Sequence, residues 1–251
     1  MKIHVLGSGG WMPGNNRETS CLLIEYKGKL LMIDAGTGVA NLSGYGDVLD
    51  RYNEIHILLS HYHLDHIIGL TYISKFFGSK KICIYGPQYG VFSNVKKELS
   101  KLFIPSFHSR SLKDLGESVL FFEYTAIPFM IDDILVETRE LNHSSITYAF
   151  FIDKIFAYIS DTLFLKKIIE ETANFKWVFH ECWGIEKTNA AHSYLQELKE
   201  KLYCTCKYYL IHLNPDIPYC EYKAAIKGFD NVYVGQDFDM VLINNILGLM
   251  E

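Results

Sequence analysis

Four side chains that can bind a metal ion lie close together in the segment His61-Tyr62-His63-Leu64-Asp65-His66. Imidazole nitrogen and carboxylate oxygen form a ligand set that a borderline divalent ion such as zinc accepts. His61 and His63 can bind one ion, whereas Asp65 and His66 point to a second position nearby. A lone histidine is more often a surface or core residue, but three histidines and an aspartate at this spacing predict a metal site.

The residues on either side of this segment indicate how it is positioned. An apolar run, Ile55-His56-Ile57-Leu58-Leu59-Ser60, precedes it, and Ile67-Ile68-Gly69-Leu70 follows it. A short apolar run bounded by polar residues is consistent with a buried strand. We therefore predict a strand, a turn that carries the ligands, and the start of a helix that continues over residues 70–77.

Three more candidate ligands follow predicted strands, namely His143, Asp161 and His212. A sheet holds residues at its strand ends rigidly, while the loops above remain free to shape a pocket. Taken singly, each of these side chains is more often structural. The glycine-rich segment Gly7-Ser8-Gly9-Gly10-Trp11 also follows a strand, and it is predicted to be a tight loop near the pocket rim. A phosphate cradle is the weaker alternative, because the lysine of a P-loop is missing.

The pattern His-x-His-x-Asp-His after a hydrophobic strand resembles the signature of the metallo-β-lactamase fold hydrolases. The resemblance extends to Asp34-Ala35-Gly36-Thr37-Gly38, whose aspartate in that family supports the metal site from behind. It implies two divalent metal ions, zinc or else manganese. The implied ligands are His61, His63 and His143 for one ion, Asp65, His66 and His212 for the other, and Asp161 bridging both. An aspartate rather than a cysteine at position 161 favours the diversified hydrolases, which include nucleases and phosphodiesterases, over β-lactam hydrolysis.

Two further segments resemble motifs of the ribonuclease Z branch of this superfamily. Phe179-His180-Glu181-Cys182-Trp183 is similar to its His-Glu-Ala-Thr motif, and Ala191-His192-Ser193 is similar to its His-Ser-Thr motif. The resemblance implies that His192 faces the scissile phosphate as proton donor or charge stabiliser and that Glu181 orients it. Asp65, beside the attacking hydroxide, could accept its proton. The alternative is structural: His192 would begin a helix, and Glu181 would form a salt bridge.

The missing arm and the charge of the chain favour a small substrate. In ribonuclease Z proteins a long basic arm that grips tRNA is inserted between the positions matching His143 and Asp161, but here only residues 144–160 intervene and they read as a strand hairpin. The formal net charge of -5 argues against a surface that holds long polyanions nonspecifically. The chain thus resembles compact phosphodiesterases that open cyclic nucleotides, among them phage enzymes that degrade cyclic pyrimidine mononucleotides to defeat Pycsar immunity. Its 17 Tyr and 16 Phe could supply base-stacking platforms, although most are expected in the core.

Three other functions stay open at this point. The first is tRNA 3′ processing, which would need RNA binding by another surface or a partner subunit. The second is metal-dependent hydrolysis of a different bond, in a thioester, lactone or sulfate ester. The third is a catalytically silent, metal-stabilised scaffold that binds a nucleotide as a sensor.

Composition sets the general class of the protein. A length of 251 residues, 49% of them hydrophobic and 21% charged, is typical of a soluble globular protein, and we predict one hydrolase domain over residues 1–251. The six cysteines follow no disulfide framework, so a cytoplasmic protein with reduced thiols is expected. Cys204-Thr205-Cys206 lacks the second cysteine pair of a zinc site. Neither a signal peptide nor a membrane-spanning run is expected, and the resemblance implies a homodimer.

The remaining pattern predicts the fold class. Predicted strands cover residues 3–6, 21–26, 30–34, 55–60, 81–86, 119–124, 134–141, 146–152, 155–160, 177–179, 208–211, 232–234 and 240–243. Predicted helices cover residues 70–77, 91–103, 193–202 and 219–227, with a short helix within residues 39–51 and another beginning near residue 163. Two strand-rich halves that each contain helices indicate an α/β fold in which two sheets pack face to face with helices outside, a four-layer αββα sandwich.

Overall fold

Two mixed sheets form the centre of the fold in the computed structural model, which describes residues 1–91, 93–116, 118–199, 202 and 205–243. The first sheet consists of β1 (Lys2–Gly7), β2 (Cys21–Tyr26), β3 (Lys29–Ile33), β4 (Glu54–Leu58), β5 (Lys81–Pro87), β6 (Ser118–Tyr124) and β14 (Met240–Leu242). Its strands lie in the order β14-β1-β2-β3-β4-β5-β6.

The second sheet consists of β7 (Phe129–Ile131), β8 (Ile134–Glu140), β9 (Tyr148–Ile152), β10 (Phe156–Ile159), β11 (Trp177–Glu181), β12 (Lys207–Ile211) and β13 (Val232–Val234). Its order is β13-β12-β11-β10-β9-β8-β7. In both sheets an antiparallel part is joined to a parallel part: β3 to β6 run parallel in the first sheet, and β10 to β13 run parallel in the second. The parallel strands of each sheet therefore end at one common edge.

Three apolar clusters separate four layers. Between the sheets, alternate residues of facing strands pack together, for example Leu22 of β2 and Phe150 of β9. The next residue along β2, Leu23, faces the other way and packs in a cluster with helices outside the first sheet. Phe151 does the same outside the second sheet. This alternation is the two-residue period of a strand, and it confirms the predicted arrangement of two sheets enclosed by helices.

The α-helices of the outer layers are short. They are α1 (Gly46–Leu49), α2 (Leu64–Ile67), α3 (Ser74–Phe77), α4 (Val95–Ser100), α5 (Lys166–Glu171), α6 (Leu195–Lys199) and α7 (Tyr219–Ala225). Turns of 3-10 helix cover Thr37–Gly44, Ile68–Tyr72, Lys101–Phe103 and Leu112–Leu115. Among the described residues, no helix has the length and apolar character needed to cross a bilayer.

Several predicted boundaries differ from the observed ones. The short helix predicted within residues 39–51 is present as α1, preceded by a 3-10 turn, whereas the helix predicted over 91–103 is reduced to α4 with a 3-10 extension. Strand β7 was not predicted. Its three residues are too few to show an alternating pattern, and its pairing with β8 across a two-residue turn decides its conformation. Cys204 lies outside the described residues, whereas Cys206 is a buried core residue.

The loop after β1 is fixed by the carboxylate of Asp237. Its Oδ1 accepts hydrogen bonds from the backbone N–H of Ser8 (2.9 Å) and from the Ser8 hydroxyl (2.8 Å), and its Oδ2 accepts one from the backbone N–H of Glu18 (2.7 Å). Burial raises the pKa of Asp237 to about 6, although these hydrogen bonds oppose the shift.

We expect Asp237 to make the stability of the protein depend on pH. Its pKa is about 6 in the folded protein and about 3.9 in an unfolded chain, so the folded state binds the proton more tightly. The contribution of this carboxyl to the free energy of unfolding is complete below the lower pKa and is lost as the pH rises through about 6. Urea unfolding of the protein and of Asp237→Asn at equal metal content measures it. The free-energy difference between the two should fall from pH 4 to pH 7, and a constant difference would contradict this assignment.

Candidate metal centre

The candidate ligands meet at one edge of the sandwich because of strand direction. Asp34 follows β3 and the His61 segment follows β4, and these two strands are parallel. Asp161 follows β10 and His212 follows β12, and the strands β10, β11 and β12 are also parallel. A hydrogen bond of 2.9 Å between the hydroxyls of Ser60 and Ser160 joins the ligand loops of the two sheets.

One group of side chains consists of His61, His63, His143 and Asp161. The Nε2 atoms of His61 and His143 lie 3.9 and 3.7 Å from Asp161 Oδ2. The Nε2 atom of His143 is also 3.2 Å from Nδ1 of His63. One ligand atom from each residue lies within 4.8 Å of every other, so a single ion could contact all four.

A second group consists of Asp65, His66, Asp161 and His212. The Nε2 atom of His66 is 3.2 Å from Asp161 Oδ1 and 3.5 Å from Asp65 Oδ2. The Nε2 atom of His212 lies 3.3 Å from Asp161 Oδ2 and 3.2 Å from Asp65 Oδ2. Asp161 belongs to both groups, so the structure brings together all seven side chains that the sequence pointed to.

Unpaired nitrogen atoms show that these groups fit a divalent cation. Nε2 of His61 and Nε2 of His66 are buried and have no hydrogen-bond partner. Their Nδ1 atoms contact the protein instead, at 3.0 Å from the Ser60 hydroxyl and 2.8 Å from Asp34 Oδ2 respectively. A buried polar atom without a partner costs free energy. A metal ion bound at Nε2 removes this cost, and a protein partner on the other ring nitrogen is the usual arrangement for a ligating histidine.

Asp34 supports this arrangement from beneath the ligands. Its buried carboxylate accepts hydrogen bonds from the backbone N–H and the hydroxyl of Ser60, from His66 Nδ1 and from the hydroxyl of Tyr158, at distances of 2.6 to 2.8 Å. Three of these bonds end on Oδ2 and one on Oδ1. The carboxylate thereby fixes the ring of the candidate ligand His66 and the backbone of Ser60, the residue before the candidate ligand His61.

The charges of the site suit a cation. Burial alone would raise the pKa of Asp65, but His66 and His212 outweigh it and hold this pKa far below the usual range. Burial lowers the pKa of His61, so its ring is neutral. Burial also lowers the pKa of His212, yet Asp161 and Asp65 raise it to about 10. A cation therefore meets ionised carboxylates, and it must displace the proton of His212 in order to bind there.

Glu181 and His192 form the second part of the site. Oε2 of Glu181 lies 2.9 Å from Nδ1 of His192, and its Oε1 accepts hydrogen bonds from the backbone N–H groups of Thr162 and Ser193. Glu181 is fully buried and His192 partly exposed. The contact from Glu181 to His192 leaves Nε2 of that histidine free for a ligand.

A cavity of about 310 Å³ connects the two parts. Its lining includes most of the candidate ligands, Trp11, and three residues that the sequence gave no role in the site, namely Ser144, Asn189 and Trp183. Trp183, in the His-Glu motif segment, stacks on the ring of His192 with a centroid distance of 4.8 Å. Trp11 ends the glycine-rich loop predicted near the rim, and it is the residue of that loop that lines the cavity. Its strand-end position was the available signal.

The known proteins that this chain resembles identify its family. The family model of the "Anti-Pycsar protein Apyc1" matches residues 1–231. The chain belongs to this family. The Apyc1 protein of Bacillus phage 010DV004 is 29% identical over 224 residues, covering 79% of this chain and 82% of the relative.

The chain is also similar to ribonuclease Z proteins and to solved structures. The ribonuclease Z of Thermococcus kodakarensis is 28% identical over 137 residues, which cover 53% of this chain and 43% of that protein. The chain thus spans less than half the length of this curated relative. The structure of the metallo-β-lactamase fold protein YhfI from Bacillus subtilis superposes with a TM-score of 0.73 at 20% identity, covering 96% of this chain and 99% of YhfI. This likeness confirms the predicted metallo-β-lactamase fold.

Replacing Asp34 by Asn should weaken metal binding. An amide has one accepting oxygen, so either the Ser60 N–H or the three donors at Oδ2 would face an NH₂ group. We expect metal affinity to fall about 10- to 100-fold, measured by competition with a chromophoric chelator. Asp50→Asn, at an exposed helix end, is the matched control and should bind metal as the unmodified protein does. Equal affinities for the two variants would contradict the role given to Asp34.

Gly10 lies against a candidate ligand, so alanine should be disruptive there. A Cβ atom on Gly10 would be 2.4 Å from the ring of His212, whereas one on Gly44 would meet nothing within 4 Å. We expect Gly10→Ala to bind metal at least about tenfold more weakly because His212 must move, and Gly44→Ala to be neutral. Metal content after dialysis, with circular dichroism as the check on folding, compares them. Full metal content in Gly10→Ala would show that metal binding does not require the His212 ring at its present position, which would contradict this prediction.

Proposed function

We propose that this protein is a phosphodiesterase that uses two divalent metal ions, zinc or manganese, to hydrolyse a cyclic mononucleotide. The observation that carries the proposal is the sharing of Asp161 between two adjacent groups of candidate ligands. One ion would be held by His61, His63 and His143 and the other by Asp65, His66 and His212, with Asp161 contacting both. When bound, such a pair lowers the pKa of a water molecule and offsets the charge of a phosphoryl group.

Asp65 would act where the water attacks. Its carboxylate stays ionised because His66 and His212 lower its pKa. Its Oδ2 also accepts a 2.7 Å hydrogen bond from the backbone N–H of Trp11, which fixes its orientation. An oriented, ionised carboxylate at the cavity can accept a hydrogen bond from the water and take up its proton.

His192 would assist the departing oxygen. Its Nδ1 is held by Glu181 at 2.9 Å, and its ring is held on one side by Trp183. Nε2 is then left to donate a proton to the alkoxide, or to stabilise its charge. Glu181 acts through His192, so it is a positioning residue.

The size of the cavity supports a small substrate. Its volume of about 310 Å³ lies at the lower end of small-molecule sites. Residues 144–160 contain β9 and β10, two paired strands joined by a short turn, so this stretch forms part of the second sheet. Membership of the Apyc1 family points to the same class of substrate. We also propose a homodimer, as the resemblance implied, and a cytoplasmic location, as the pattern of cysteines indicated.

A substrate panel tests the proposal. After chelation and add-back of zinc or manganese, the protein should open cyclic pyrimidine mononucleotides in preference to cyclic dinucleotides, precursor tRNA, a thioester and a lactone. His192→Gln should lower kcat by a hundredfold or more, as expected for loss of a general acid, while retaining its metal. The matched control is His108→Gln, whose ring packs against Phe103 outside the site. Cleavage of precursor tRNA at low enzyme concentration, or no turnover of any cyclic nucleotide, would overturn the proposal.

A further inference from the structure

Trp11 is unusually placed for so large an apolar side chain. It is 65% exposed, and yet it lines the cavity of the metal centre. No aromatic ring of the described residues stacks against it. A buried indole is one of the larger single contributions to stability. The exposed ring of Trp11 does not make this contribution.

The backbone holds Trp11 firmly in this position. Its φ is +63°, a left-handed conformation that costs a residue with a side chain about 1 kcal/mol or more. Its N–H is bonded to Asp65. The residue before it, Gly10, donates its N–H to the carbonyl of Leu213 at 3.0 Å. The loop is therefore bonded to one candidate ligand, Asp65, and to the residue after another, His212, so the backbone of Trp11 keeps a fixed position relative to both.

The second tryptophan of the cavity differs in this respect. Trp183 is only partly exposed and is stacked on His192, with an interplanar angle of 20°. It also lies 5.7 Å from the ring of His212. Trp183 thus packs against the side chains of the site, whereas the ring of Trp11 is exposed at the cavity and can contact a ligand.

We propose that Trp11 is the stacking platform for the nucleobase of the substrate. This inference rests on the proposed function, and it assigns the recognition of the base to one side chain. A planar base can lie on an exposed indole while the phosphate reaches the metal centre. Stacking favours any base over none, because every base has a π face. Trp11 therefore supplies affinity for nucleotides and leaves the choice among bases to hydrogen-bonding groups such as the amide of Asn189.

Kinetics with and without a base test this role. Trp11→Ala should raise KM for cyclic cytidine monophosphate about tenfold or more, as expected for loss of one base–aromatic stack, and should lower kcat less than about threefold. A methyl riboside cyclic phosphate, which has the ring and phosphate but no base, should show the same KM with both proteins. Trp11→Phe keeps a ring and should recover most of the affinity. A merely structural role would change both substrates alike, and that result would overturn the proposal.

Fluorescence provides a measurement that does not depend on turnover. The chain has three Trp residues, and a base stacked on Trp11 should quench its emission when cytidine 5′-monophosphate binds the metal-loaded protein. The quench should disappear in Trp11→Phe and persist in Trp177→Phe, a control whose ring packs near Tyr233 in the second sheet. Quenching that persists in Trp11→Phe would overturn the inference. If the protein hydrolyses no cyclic nucleotide but this pattern is still seen, the proposed function fails and the base site remains.

Discussion

The buried carboxylate of Asp34 is the interaction on which the site depends. It lies at the end of β3 in the first sheet, and it binds Tyr158 of β10 in the second sheet as well as the candidate ligand His66. Each of these donors would be buried without a partner if the carboxylate were absent, which is costly for any polar group. One side chain therefore couples the packing of the sheets to the orientation of an imidazole at the metal centre.

Strand direction explains why distant residues could be predicted to converge. Most of the ligands follow strands of the parallel parts, and His143 follows β8, which has the same direction as β10 because both are antiparallel to β9. The contact between Ser60 and Ser160 aligns the two edges. A parallel sheet collects the carboxyl ends of its strands at one edge. The sequence shows where such strands end, because short apolar runs stop at Ser60, Ser160 and Ile211. The two-sheet architecture and the cluster could thus be predicted from patterns of burial and from family motifs.

Other features could not be predicted, for physical reasons. Strand β7 forms because β8 offers it a partner, and its own three residues carry no pattern. Trp183 occupies a motif position that holds a smaller residue in the ribonuclease Z group, and only the coordinates show that its ring packs against His192. The abundance of Tyr and Phe favours them as platforms for a base, but side chains such as Tyr158 and Phe150 are buried. An exposed ring at the cavity is a property of the tertiary structure.

Three of the ten non-glycine residues with positive φ among the described residues lie at the metal centre. Asp34, His212 and Trp11 have φ values of +54°, +50° and +63°, which residues other than glycine seldom adopt. Asp34 and His212 directly follow β3 and β12, and a left-handed residue at that point turns the chain sharply away from the strand. His212 thereby lines the cavity, whereas Asp34 lies beneath the ligands. Each strained residue is held by other bonds: Asp34 by four donors, Trp11 by Asp65, and the residue after His212 by Ser8 and Gly10. These bonds hold the ligands in place before a cation binds. Because the ligands are already ordered, less free energy is lost in ordering them on binding, which offsets the backbone strain.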